Sequence, residues 1–174
     1  MSPQKPGWRG RYFEDFTVGD VYSHPLGRTV TSTDNTWFTL LTQNTAPLHV
    51  DEVYAAQTAF GRIVVNSAFT LALVTGQSVT DVSQNVMANL AWDEVRLPHP
   101  VFVGDTIHSE STVTMARPSA SRPDVGVVTV ATRGFNQEGR TVISFVRTML
   151  VYRRGFGPAA PVRSPGDEPG VEGT

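Results

Sequence analysis

The stretch TQNTAPLHVDEVYAAQTAFGRIVVNSAFTLALVTGQS, residues 42–78, decides how the rest of the chain is read. It holds a polar pair, Asn44 and His49, on either side of a Pro-containing turn, then a short helical pattern, then AFTLALVTGQ, residues 68–77. That last segment is apolar almost all round, and a helix without a polar stripe must be covered on every side, which predicts the buried central helix of the domain. Ser67 just ahead of it predicts the N-cap. Asn66, Ser67 and Ala68 then form a helix N-terminus whose free N–H groups face whatever lies in front of it.

Outward from this stretch the chain supplies the layers that cover such a helix. With 174 residues, 40% hydrophobic and 17% charged, it suits one globular domain with a real core. Thr33 is read as the N-cap of the helix DNTWFTLLTQN, residues 34–44, with Trp37, Leu40 and Leu41 as its apolar face; Pro47 cannot continue it. Residues 51–60 predict a second short helix that buries Val53, Tyr54 and Phe60 and stops at Gly61. Residues 21–23 and 27–31 predict short strands, and residues 87–97, 107–115, 126–135 and 140–152 long ones. The last two are joined by the turn 136–139. One helix followed by several long strands argues an α+β fold, an antiparallel sheet wrapped around a buried central helix. Residues 1–10 are expected to be a flexible or partner-draped arm and the Gly/Pro-rich residues 155–174 a disordered tail, with the domain proper over residues 11–154.

Composition also excludes classes of function. The net charge of −2, without a basic run, argues against nucleic acid or an anionic membrane as partner. There are no cysteines, so disulfides and thiolate chemistry are absent. No apolar run reaches the length of a membrane span and the first residues carry no apolar leader, from which a soluble, cytoplasmic protein is expected. His49-x-Asp51 alone is too sparse to hold a metal, and no cofactor is implied.

The run from Asn44 to Gly76, together with LAWDEVRLPHPVFVGDTIHSESTV at residues 90–113, resembles the MaoC-like, (R)-specific enoyl-CoA hydratase family, nearest to its mesaconyl- and itaconyl-CoA hydratase branch. The resemblance implies a hot-dog fold, a homodimer or larger assembly, and an acyl-CoA thioester substrate. Pro47, Leu48, His49 and Asp51 match the family motif. Where the family carries a catalytic aspartate this chain has Asn44, which cannot accept a proton but can hold a water through its amide.

The resemblance assigns His49 the proton transfers and Asn44 the orientation of the water. Asn is also a good turn or helix-end residue, so that plainer role for Asn44 stays open. Among the four histidines only His49 lies in such a setting; His24, His99 and His108 are read as structural. The Ser67 or Ala68 N–H is the expected oxyanion donor, with Asn66 touching the acyl group. Thr75, about two turns further on, either lines the same pocket or bonds back into its own helix. Arg62 and Arg96 are the candidates for the CoA phosphates. Two alternatives share the fold: an acyl-CoA thioesterase, and a catalytically silent acyl-CoA or acyl carrier protein binding subunit.

Overall fold

The computed structural model describes residues 7–158. Its element order is β1 (Val21–Ser23), β2 (Arg28–Thr29), α1 (Ser32–Leu41), α2 (Glu52–Ala56), α3 (Ser67–Gln77), β3 (Val86–Arg96), β4 (Thr106–Pro118), β5 (Val125–Phe135) and β6 (Thr141–Tyr152). The strands form one antiparallel sheet in the order β1-β4-β5-β6-β3, with β2 paired beside β1 on β4. The long strands alternate: Ile107, Ser109, Ser111 and Val113 on β4, and Ile143, Phe145, Arg147, Met149 and Val151 on β6, are buried on one face. That face curves around α3.

α3 approaches the sheet closely because Gly134 lies beneath it: a Cβ there would sit 2.6 Å from a methyl of Val74 and 2.8 Å from one of Ile143. Two apolar clusters result. Val30, Val65, Val74, Ile107, Ile143 and Phe145 pack along the helix, and Phe16, Val82, Val113, Val130, Met149 and Val151 under the π-helical turn Val79–Ser83 that follows it. Between them runs a polar belt. The Asp81 carboxylate accepts from His24 Nδ1 at 2.9 Å, His24 Nε2 meets the Ser111 hydroxyl at 2.9 Å, and Ser111 meets Thr132 at 2.8 Å.

Several local expectations need correction. The N-cap of α1 is Thr31, not Thr33: its hydroxyl accepts from the Asp34 N–H at 3.2 Å while the Asp34 carboxylate accepts from the Thr31 N–H at 2.9 Å, a reciprocal capping box. The face of α1 turned inward is Asn35 and Thr39; Trp37, Leu40 and Leu41 are 66%, 68% and 76% exposed. α2 ends at Ala56 and buries Ala55, leaving Val53, Tyr54 and Phe60 exposed. The N-cap of α3 is Asn66, whose side-chain oxygen accepts from the Ala68 N–H at 3.0 Å. α3 itself is covered on one side only, by Thr70 and Val74, and Ala68, Ala72 and Gly76 stand exposed. Residues 7–10 are tied down: the Trp8 indole donates to the Thr80 carbonyl and the Asn85 amide to that of Arg9. The remainder of the expected arm, 1–6, and most of the expected tail, 159–174, lie outside the described residues. No helix among the described residues is long and apolar enough to cross a membrane.

Candidate active site

His49 ends the short 3-10 turn Pro47–His49, which Pro47 starts because its fixed φ suits a first helical position. The imidazole Nδ1 lies 2.7 Å from the Val64 carbonyl oxygen. A carbonyl only accepts, so Nδ1 carries the hydrogen and Nε2 is left as the basic nitrogen. The backbone under the ring is held as firmly. Asn35, 2% exposed, donates from Nδ2 to the His49 carbonyl at 2.7 Å and accepts from the Asn66 N–H through Oδ1 at 2.9 Å. Asn66 Nδ2 in turn donates to Thr39 Oγ1 at 3.3 Å. One buried side chain of α1 thus fixes the His49 turn and the start of α3 relative to each other.

His49 faces a cleft of about 550 Å³ whose walls include Ser32, Asn35, Thr36, Glu52 and Arg62. The Arg62 guanidinium stacks 3.7 Å from the centre of the Phe102 ring, which holds a cation at the cleft wall. Arg96 is elsewhere: it ends β3, opposite Ser144, and donates to the carbonyl of Val95. The histidines read as structural are engaged as such. His24 is buried in the polar belt, His99 bonds the Thr141 carbonyl and His108 stacks on Phe135. Asp51 caps α2 through the Tyr54 N–H.

Asn44 follows Gln43, whose φ of 54° reverses the chain after α1. Its side-chain oxygen accepts from the Ala46 N–H at 3.0 Å, the turn role foreseen for it, and it is not among the residues walling the cleft. At the start of α3 the Ala68 N–H is occupied by Asn66, and the Ser67 N–H has no partner among the described residues. Thr75 Oγ1 does not bond back into its helix; it is buried without a partner. Asn35 and Thr39 are the members of the site that the sequence reading missed. The signal was their i, i+4 spacing, a polar stripe opposite Trp37, Leu40 and Leu41.

The model of the family described as mesaconyl-CoA hydratase matches residues 5–167. The chain belongs to that family. It is 36% identical over 152 residues to the mesaconyl-CoA hydratase of Cereibacter sphaeroides, an alignment that covers 87% of this chain and 44% of the relative. The chain therefore spans about half the length of the curated relatives it matches most strongly. The solved MaoC-like dehydratase of Rhodospirillum rubrum superposes with a TM-score of 0.75 at 29% identity, over 84% of this chain and all of the other. A Mycobacterium tuberculosis protein described as having a double hot-dog fold superposes at 0.77 with 22% identity, over 92% of this chain and 53% of the other. The fold is thus a single hot-dog unit, and the family is the one that the motif around His49 resembles.

Proposed function

We propose that the protein catalyses the reversible hydration of a 2-enoyl-CoA thioester of the mesaconyl type, a hydro-lyase reaction with His49 as the proton carrier. The observation that carries this reading is the Val64 carbonyl on Nδ1, which leaves Nε2 as the free base in a cleft of substrate size. Membership of the mesaconyl-CoA hydratase family supplies the reaction class and the thioester.

The steps balance within this chain's own groups. Water adds through its oxygen to the β-carbon as the carbon–carbon π bond opens, and its proton passes to His49 Nε2. The electron pair moves onto the thioester oxygen, which the Ser67 N–H at the positive end of α3 stabilises; one such donor contributes about 3 kcal/mol to the barrier. His49 then delivers its proton to the α-carbon. Asn44 orients the water through Nδ2, the part of its amide that the turn does not use. Arg62 takes a CoA phosphate at the cleft wall, and a second copy of the chain completes the assembly.

The test is a panel of enoyl-CoA thioesters followed both by loss of conjugated thioester absorbance and by thiol release. Hydration without thiol release is expected, falling by at least about 100-fold in folded His49→Ala. Thiol release instead assigns a thioesterase, and neither signal a binding protein. Asn44→Ala should lower kcat by about 10- to 100-fold with little change in KM, whereas a pure turn residue would leave kcat intact.

A further inference from the structure

The turn that carries His49 runs into α2 through two consecutive acids, and the structure treats them differently. Asp51 is taken up by the cap, its carboxylate accepting from the Tyr54 N–H at 2.9 Å. Glu52, the first residue of α2, walls the cleft together with His49 and is the one carboxylate among the residues lining it. No ion pair or side-chain hydrogen bond is found for Glu52 among the described residues. The cation of the cleft, Arg62, lies over the Phe102 ring instead. Packing does not call for Glu52 either: it is exposed, on a helix of five residues that Asp51 already caps. The hydration reading leaves one place for such a group. A water has two hydrogens and two lone pairs. One hydrogen goes to His49 Nε2, one lone pair attacks the β-carbon and the other receives Asn44 Nδ2, so the second hydrogen still needs an acceptor. Asn44 cannot supply it, because its side-chain oxygen is held by the Ala46 N–H, and the oxygen of Asn35 is held by the Asn66 N–H.

We infer that Glu52 is that acceptor, a further catalytic residue whose carboxylate holds the second hydrogen of the attacking water. This inference rests on the hydration reading above. The step stays balanced: the proton that leaves the water passes to His49 and on to the α-carbon, the other hydrogen remains on the oxygen as the new hydroxyl, and Glu52 neither gains nor loses a proton. A carboxylate is the strongest acceptor a side chain offers, and by fixing the water from a second side it aims the attacking lone pair. Its negative charge also offsets the positive charge that His49 carries between the two transfers. The hydroxyls of Ser32 and Thr36 on the same walls can accept as well, but without charge.

The experiment measures kcat and KM on the best enoyl-CoA of the panel for the wild type, Glu52→Ala, Glu52→Gln and His49→Ala, and repeats Glu52→Ala with formate or chloride added at equal ionic strength. Glu52→Ala is expected to lower kcat by about 10- to 100-fold while KM moves by less than about 3-fold. Glu52→Gln should fall between, because its amide oxygen accepts but carries no charge. Formate, a carboxylate small enough to enter the cleft, should raise kcat of Glu52→Ala by at least about 5-fold, and chloride should not. An acid that only favours the first turn of α2 would cost some stability, leave kcat alone and be indifferent to formate. A kcat of folded Glu52→Ala within about twofold of the wild type overturns the inference, and so does a fall that formate leaves untouched. If Glu52→Ala does not fold, Glu52→Gln at the wild-type rate overturns it. Full rate in Glu52→Ala beside an inactive His49→Ala removes this inference alone and leaves the hydration reading intact, whereas a wild type that hydrates nothing in the panel defeats that reading as well.

Discussion

At the scale of single residues the site turns on Asn35, whose two side-chain bonds hold the His49 carbonyl and the Asn66 N–H from one buried position. Replacing it with Leu keeps the branching but leaves a buried donor and a buried acceptor unpaired, each costing roughly 1–3 kcal/mol. Asn35→Leu is therefore expected to lose about 3 kcal/mol in denaturant unfolding and to lower kcat at least 10-fold, as the His49 ring loses its fixed seat. A variant as stable as wild type would show that the clasp is incidental. What singled out His49 in the sequence was the resemblance of the Pro47-Leu48-His49-x-Asp51 run to a family motif. For Asn35 it offered only the i, i+4 polar spacing with Thr39, because the partners that make Asn35 matter are main-chain atoms 14 and 31 residues away. Glu52 was passed over for another reason: an acid in the first turn of a helix already has a plain use.

At the scale of elements, the long strands were legible because their period of 2 holds over ten or more residues, and the central helix because its apolar run is long and has a cap-forming residue at its start. Caps were less so. Thr31-Ser32-Thr33-Asp34 offers two threonines, and the one three residues before an acid forms the reciprocal box. Thr31→Ala should destabilise the fold by about 1 kcal/mol. Part of that stability depends on pH. Partial burial pushes the Asp34 carboxyl up, but the N–H and hydroxyl of Thr31 and the Arg28 guanidinium outweigh this and hold its pKa below the usual value. A depressed carboxyl contributes fully above its unfolded pKa and loses that contribution as pH falls through the folded one. The stability gap between wild type and Thr31→Ala should therefore be constant near neutrality and shrink below about pH 4. A gap that stays constant to pH 3 would discount the carboxylate. The inverted face of α1 has a physical reason too: Asn35 and Thr39 find hydrogen-bond partners inside, and Trp37, Leu40 and Leu41, on the opposite side, are left outside.

At the scale of the whole molecule, those exposed apolar residues, the half-open α3 and the free edge of β3, with Leu90 54% and Trp92 40% exposed, are more than a monomer of this size comfortably shows to water. This 174-residue chain is expected to elute as a dimer or larger, with a melting temperature that falls on dilution. Trp37→Lys should weaken that association if α1 lies in the contact. A monomer whose melting is independent of concentration would send the apolar surface to some other partner.

The way His49 is anchored has a further consequence, for how this protein can drift in evolution. The ring is tied to the carbonyl of residue 64 and the turn beneath it to Asn35 through the carbonyl of residue 49, and a peptide carbonyl is a part that every amino acid brings. Selection on the orientation of the base thus needs to remember only Asn35 and His49, and is blind to the side chain at position 64 so long as it is apolar enough to stay buried. Under a screen for activity, a saturation library should show positions 35 and 49 frozen, with position 64 wandering freely among Val, Ile, Leu and Met.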